Sequence, residues 1–446
     1  MLKRKIYNRL LRWKKESNGR TALLIEGARR VGKTYIIKKF GENEYESYIL
    51  IDFSYMSKNL KDIFDYDKTN LDLFFMKLSI LYETKLVERN SLIIFDEVQL
   101  FPEARQLIKQ LVKDGRYDYI ETGSLLSIKQ NVKDILIPSE EEKIEMFPLD
   151  FEEFLWAVGD NVSYKTLEIF KKKLKPLGQD IHHKIMTKFR LYMIVGGMPQ
   201  AVMAYLENKD FDDVERVKTN ILNLYRNDIV KFANRNSNYV TAIFDKIPAE
   251  LTKKEKKFML STLSKNARSR TYNDAFMWLI EAKIVNPCFN TTDPNIGLAM
   301  SGDYSSFKLY MGDTGLLVTQ AINDNNKQKN FLFNNLLLND LNINQGMFAE
   351  NIVAQSLVSN GHKLFFYSKN DRNNSENTME IDFVITDSNK LIPIEVKSGS
   401  YRSVRSLDKF TLKFKKRITK KIVLHSKDLK LVNNIIYLPI YMASLL

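Results

Sequence analysis

The sequence predicts an α/β protein: a parallel sheet with helices on both faces, a mostly helical stretch, then a second α/β region toward the C-terminal end. Three observations lead there. Short apolar or β-branched runs at 23–26, 48–53, 92–96 and 118–122 alternate with helical patterns such as 71–88 and 102–113, which is the rhythm of a parallel sheet. From about 151 to 235 the pattern turns mostly helical, with a break at "GGMPQ", 196–200. Past the polar stretch 321–330, which reads as a surface loop or linker, a helix at 346–359 leads into strands at 363–367, 380–386 and 391–397. The Asn-rich "KNDRNNSENT", 369–378, reads as a mobile loop between two of these strands.

Size and composition set the outer limits. A chain of 446 residues exceeds one ordinary core, so two or three domains are expected. No run of about 18 apolar residues occurs, and no membrane span is expected. The basic, amphipathic start "MLKRKIYNRLLRWKKES" lacks an apolar signal core and reads as a surface helix. The single cysteine, Cys288, excludes an internal disulfide framework and fits a reducing, cytoplasmic setting. It also rules out a Cys/His zinc cluster; His182 and His183 are adjacent and lack partners at ligand spacing. A formal net charge of +14 and a pI near 9.3 favour an anionic partner, nucleic acid above all. Lysines on solvated faces are the plainer reading of the same excess.

The first strand run ends in "GARRVGKT", residues 27–34, which fits G-x-x-x-x-G-K-[ST] without a mismatch and stands between a strand and a helix. Gly27 and Gly32 let the loop wrap phosphates with backbone N–H groups turned inward. Ala28, Arg29, Arg30, Val31 and Tyr35 complete the expected cradle for ATP. Lys33 brings positive charge to the β- and γ-phosphates, Thr34 offers a hydroxyl to Mg²⁺, and the helix start adds a favourable dipole. The pattern does not require Arg29 or Arg30; they either meet a neighbouring subunit or lie exposed, and exposure is preferred. "LIIFDEVQ", 92–99, supplies the second half: a strand ending in Asp96, expected near Mg²⁺, and Glu97, expected beside an attacking water. In "YDYIETGSLLS", 117–127, Thr122 or Ser124 is a candidate for orienting that water or sensing the γ-phosphate, with an ordinary polar turn as the alternative.

"GARRVGKT", "IIFDEVQ", "ETGSLLS", "MFPLDFEEFL" (146–155), "VGGMPQAV" (195–202) and "LYMGDTGLL" (309–317) follow one another in a way that resembles a large prokaryotic family of AAA-type ATPases. That family is usually described only as ATP-binding, with a C-terminal domain of unknown function. The resemblance covers nearly the whole chain. It implies an AAA+-like P-loop core over 1–150, a helical lid over 151–238, a winged-helix-like module over 239–330 and a restriction-endonuclease-like domain over 331–446. No arginine finger is evident; Arg190 and Arg226 are candidates, and a surface salt bridge is the better reading of each.

Within the middle module a first helix is expected over 254–265, then "TYNDAFMWLIEAKIV", where Phe276, Leu279 and Ile280 share one helix face. Arg268 and Arg270 precede that helix, where a recognition helix would meet DNA; a protein-packing module is an equal alternative. Further on, Asp382 lies in "MEIDFVI", and Glu395 and Lys397 lie in "LIPIEVKSG" at a spacing that puts both on one strand face. With Glu350 on the preceding amphipathic helix, the set resembles the PD-(D/E)XK nuclease pattern. Glu350, Asp382 and Glu395 are candidate ligands for Mg²⁺, with Lys397 steadying charge in phosphodiester cleavage. A non-cleaving domain that keeps these residues for binding or structure is the equal alternative. The basic run "KFTLKFKKRITKK", 409–421, is a candidate phosphate-backbone contact, and Tyr401 and Arg402 are weaker candidates for positioning substrate.

Two functions follow as expectations. One is an Mg-ATP-hydrolysing AAA+-like ATPase that engages DNA and carries a possible nuclease-like domain. The other is an ATP-switched interaction or scaffold protein with an inactive nuclease fold. ATP, DNA, a protein partner and further copies of the chain are the expected partners.

Overall fold

Isoleucine, leucine and phenylalanine dominate the central strand runs, the composition of strands covered on both faces. The computed structural model describes residues 2–123, 139–253, 258, 269–295, 297–322, 345–371, 378–387, 389–397 and 404–446. Ser124, Arg268, Tyr401, Arg402, the Arg270 side chain, nearly all of the expected helix 254–265, most of the expected 321–330 linker and the centre of the Asn-rich loop lie outside what is described. The chain divides into two compact units, one comprising Lys3–Phe147 with 281–283 and the other nearly all of the remainder.

In the N-terminal unit, β1 (Ala22–Glu26), β2 (Ser47–Asp52), β3 (Ser91–Asp96), β4 (Asp118–Gly123) and β5 (Glu141–Glu145) form a five-stranded sheet of order β2-β3-β4-β1-β5. Every pairing is parallel. The fifth strand reads "EEKIE" and gives no apolar signal, because a charged edge strand is what discourages pairing with another chain. The amphipathic start forms α1 (Ile6–Ser17), which buries Ile6, Leu10 and Trp13. Four more helices follow: α2 (Lys33–Glu44), α3 (Lys58–Tyr66), α4 (Leu71–Leu81) and α5 (Glu103–Asp114). The helix expected over 71–88 stops at Leu81; Glu83 then takes φ 48°, a left-handed turn that ends the helical run. One core cluster joins Phe53, Phe64, Phe74 and Phe95 to α5 residues Leu107, Ile108 and Leu111.

The second unit begins with helices α6 (Phe151–Ala157), α7 (Ser163–Lys173), α8 (Gln179–Val195), α9 (Pro199–Asn208), α10 (Phe211–Phe232), α11 (Ser237–Thr252) and α12 (Ser269–Glu281). Asp150 and Glu153 close a capping box on α6, which explains why "LDFEEFL" starts a helix so sharply. Strands β6 (Val285–Thr291) and β7 (Gly302–Met311) pair antiparallel, followed by α13 (Thr314–Ala321) and α14 (Gln345–Ser359). Next, β8 (Leu364–Lys369) runs parallel to β6, and β9 (Met379–Ile381) antiparallel to β8. This sheet, β7-β6-β8-β9, joins strands from either side of residue 331, so the expected boundary there falls inside one sheet. A second mixed sheet, β10-β11-β12-β14-β13, contains β10 (Phe383–Asp387), β11 (Lys390–Lys397), β12 (Ile422–His425), β13 (Lys430–Val432) and β14 (Ile435–Pro439). A last helix, α15 (Arg405–Lys413), lies between β11 and β12 in sequence. No helix among the described residues is long and apolar enough to cross a membrane.

Two of the segments that carried the resemblance meet inside this unit. The Gly196-Gly197 break separates α8 from α9, and buried Asp313 caps α13. The Asp313 carboxylate accepts hydrogen bonds from the Gly197 N–H at 2.6 Å and the Leu316 N–H at 3.0 Å. A Cβ on Gly315 would lie 2.5 Å from Gly196 Cα, so the two backbones touch with no room for a side chain. Gly315→Ala is expected to cost roughly 1–3 kcal/mol through overpacking, read as a lower denaturation midpoint.

His425, 1% exposed at the end of β12, supplies a second test. Burial, then the charge of Lys430, holds its imidazole below the usual value of 6.5, at about 4. Between those two values the unfolded chain takes up a proton that the folded unit refuses, so this residue's contribution to stability falls as pH drops through that window. His425→Phe should flatten the loss between pH 6.5 and 4 in a series of denaturant titrations.

Candidate functional site

In a parallel sheet the carboxyl ends of the strands share one edge, where loops collect ligands. Here β4 lies between β1 and β3, so the loop after β1, Asp96 at the end of β3 and Thr122 near the end of β4 meet at that edge. The loop's tightness is visible at Gly27, where a Cβ would lie 2.3 Å from Met146 O. Gly32 precedes α2 with φ 96°, a conformation glycine adopts at no steric cost. Lys33 opens α2 and is buried; its ammonium donates to Gly27 O at 3.0 Å and Ala28 O at 3.1 Å. Arg29 and Arg30 are exposed, as are Thr34 and Tyr35, while Val31 is buried.

Asp96 is buried and accepts hydrogen bonds from the hydroxyls of Thr122 and Thr34. Burial pushes its carboxyl pKa up, and these two hydrogen bonds oppose the rise. Burial likewise lowers the Lys33 pKa, against the charges of Glu97 and Asp96. Glu97 takes φ 53° and ψ 41°, a left-handed conformation costing a non-glycine residue roughly 1–2 kcal/mol. That turn separates its direction from Asp96, and the Gln99 side-chain amide donates to its carboxylate. A hydroxyl and a carboxylate are hard oxygen donors, and Mg²⁺ at nucleotide sites takes one or two such protein ligands beside phosphate oxygens. Thr34 and Asp96 fit that pattern.

Two features of this edge escape the sequence motifs. Gln99 lies in a quoted motif but carries no motif role. Arg4, also buried, donates to Val31 O at 3.0 Å and Phe147 O at 2.6 Å, bracing the loop from far away in sequence.

The C-terminal candidates gather in the second unit. Lys397 Nζ lies 2.5 Å from Glu395 Oε2, and the charges of Asp382 and Glu350 also act on it. Buried Glu395 has its carboxyl pKa pushed up to about 7 by desolvation, then by Asp382. Asp382 stands at the break between β9 and β10, not inside one strand as expected. Its carboxylate accepts from the Val396 N–H at 2.8 Å, an attachment that interrupts the run. Glu350 is buried on α14 and accepts from the Tyr310 hydroxyl at 3.1 Å. Sequence reasoning missed Lys308, buried on β7 and 2.7 Å from Glu380 Oε1. The available signal was a lone lysine inside "FKLYM", since buried lysines are rare unless paired. Among the described residues, no three Asp, Glu, His or Cys side chains converge to hold a metal ion. In this arrangement Glu395 is engaged by Lys397 and Asp382 by the Val396 N–H, so neither carboxylate stands ready for a metal without exchanging a partner.

The remaining candidates are engaged or apart. Arg226 pairs with Asp245 at 2.9 Å, and burial lowers the Arg190 pKa. Phe276 and Leu279 are buried on α12. Cys288 is buried as a free thiol.

Comparison with known proteins places family matches along much of the chain. Residues 19–155 match the AAA domain family. Residues 186–328 match a domain of unknown function, DUF8612, and residues 345–442 match another, DUF4143. No curated protein matches the sequence. Similar solved structures include PCH-2 of C. elegans, 10% identical over 49% of this chain and 69% of that one, TM-score 0.26. Domain III of the Thermotoga maritima replication initiation protein DnaA is 15% identical over 50% of this chain and 94% of its own, TM-score 0.27. The Aeropyrum pernix ORC1 protein in complex with DNA is 8% identical over 72% of this chain and 92% of its own, TM-score 0.26. The N-terminal part of the chain is therefore an AAA-family ATPase domain, an assignment resting on the family match.

Thr122→Val removes one of the two hydroxyls that hold Asp96. It is expected to lower the free energy of unfolding by roughly 1–3 kcal/mol, the cost of leaving a buried acceptor short of a donor, measured by urea titration without nucleotide.

Proposed function

We propose that this protein is an Mg-ATP hydrolase whose nucleotide cycle governs engagement of DNA. The observation that carries the ATPase reading is the Lys33, Thr34, Asp96 and Thr122 set at one sheet edge, with Glu97 beside it. Lys33 would exchange its bonds to Gly27 O and Ala28 O for phosphate oxygens. Thr34 and Asp96 would hold Mg²⁺, which supplies charge neutralisation at the phosphates when bound. Glu97, held by Gln99, would accept a hydrogen bond from the attacking water and align it; Thr122 keeps Asp96 in place. DNA engagement draws support from the net charge of +14 and the basic run 409–421. A homo-oligomer in which a neighbour's arginine completes the site is compatible with this reading. The C-terminal donor set does not support a cleavage step, and none is assigned.

A second reading, an ATP-switched protein-interaction module with a non-cleaving nuclease-like fold, draws on how that basic run is committed. Arg417 pairs with Asp293 at 2.6 Å, Lys420 with Asp387 at 3.1 Å, and Lys413 donates to the Tyr367 hydroxyl at 2.7 Å. Such contacts compete with phosphate for the same cations.

Lys33→Ala should abolish binding of a fluorescent ATP analogue; unchanged affinity would sink the nucleotide assignment. Glu97→Gln should keep that affinity and reduce turnover about 10²–10⁴-fold, the usual span for a lost general base. For DNA, affinity should fall linearly on a log–log plot against salt concentration and differ between ATP-bound and nucleotide-free protein. Absence of salt-sensitive DNA binding in both states would leave the interaction reading standing.

A further inference from the structure

Away from the nucleotide site, a concentration of buried charge lies where β7 faces α14. A lysine has no place inside an apolar strand unless its charge is met there. Lys308 is 1% exposed. It pairs across the sheet with Cys288, and its ammonium sits 4.9 Å from the Phe366 ring centroid. Its nearest anionic contact is Glu380 Oε1 at 2.7 Å, while the negative charges of Glu350 and Asp382 also bear on it. Two residues along the same strand face, Tyr310 donates to Glu350 at 3.1 Å. The other lysine of the cluster, Lys397, is given to Glu395 at 2.5 Å. Glu380 thus pairs with Lys308 and Glu395 with Lys397, while Glu350 and Asp382 lie in the field of both cations.

A divalent ion shared by those carboxylates would stand close to a fixed ammonium in a medium that screens poorly, and like charges at such range repel strongly. Removing the ammonium instead would leave the buried Glu350 and the half-buried Asp382 and Glu380 with less counter-charge, a deficit that a bound cation or a proton would meet.

We propose that Lys308 is the resident cation of this cluster, its ammonium neutralising Glu350, Glu380 and Asp382 in place of the divalent metal that the nuclease-like pattern implies. The inference is independent of the ATPase reading. The same pattern of acidic residues therefore serves a charge-balanced core here, and the lysine is what separates it from a metal centre.

The test uses full-length protein without nucleotide, in an Asp96→Asn background so that the nucleotide edge contributes no ion. Mn²⁺ is titrated, with free ion followed by electron paramagnetic resonance. The parent and its Asp382→Asn derivative should give the same isotherm. Lys308→Met, which keeps the apolar stem, should gain one site at least tenfold tighter than any in the parent, and adding Asp382→Asn should abolish it. Lys308→Arg should behave as the parent. A stoichiometric Mn²⁺ site in the parent that Asp382→Asn removes would overturn the proposal. So would a folded Lys308→Met protein binding no more Mn²⁺ than the parent. If Lys308→Met fails to fold, the parent comparison still decides, and refolding of the variant on adding Mn²⁺ would support the same conclusion.

Discussion

A charge taken out of water has to be met by another charge or by a hydrogen bond, and each unit of this protein is arranged around that requirement. In the N-terminal unit Arg105 is buried behind the sheet, with Glu141 at 2.5 Å and Glu121 at 3.8 Å. At the carboxyl edge of the same sheet, Asp96 is met by two threonine hydroxyls and Lys33 by two loop carbonyls. In the second unit Asp313 is met by backbone N–H groups from two separate segments, and Lys218 by Ile194 O at 2.7 Å and by Glu215. Apolar packing fills the space between these points, while the polar pairs fix which segments must lie side by side.

The two acidic neighbourhoods answer the requirement in opposite ways. At the nucleotide edge the partners are neutral oxygens, carbonyls around Lys33 and hydroxyls around Asp96, and neutral partners can be exchanged for a phosphate or a cation at modest cost. In the C-terminal cluster Lys308 and Lys397 are each met by a carboxylate, while Asp382 and Glu350 also take a backbone N–H and a tyrosine hydroxyl. Exchange there would strand a full charge in the interior. The first neighbourhood holds its ions mainly through neutral groups and the second mainly through charge pairs, although both carry carboxylates and lysines in a recognisable order.

Much of this was legible in the sequence where periodicity and chemistry agree. The first four strands lie within a residue or so of their apolar runs, and the residues of "GARRVGKT" and "FDE" stand at one sheet edge because parallel strands deliver their ends together. What was hidden depends on contacts distant in the chain. β5 has no apolar signal because it is a charged edge. Arg4 braces Val31 and Phe147 from the first few residues, a link no local pattern encodes. Asp382 looked like a strand residue because its neighbours are apolar; its hydrogen bond to the Val396 N–H opens the run at that point. Lys308 stands one residue before the quoted segment 309–317, and a single lysine means little until its surroundings are known.

The pairing of β6 with β8 bears on how the chain can be divided. Strands before and after residue 331 are zipped into one sheet, so a fragment starting there would carry β8 with the ladder that β6 normally occupies left open. Bare ladders of this kind recruit other strands. A cut near residue 331 would therefore leave β8 with one bare edge, and the fragment that carries it would need that edge covered to stay apart from other chains.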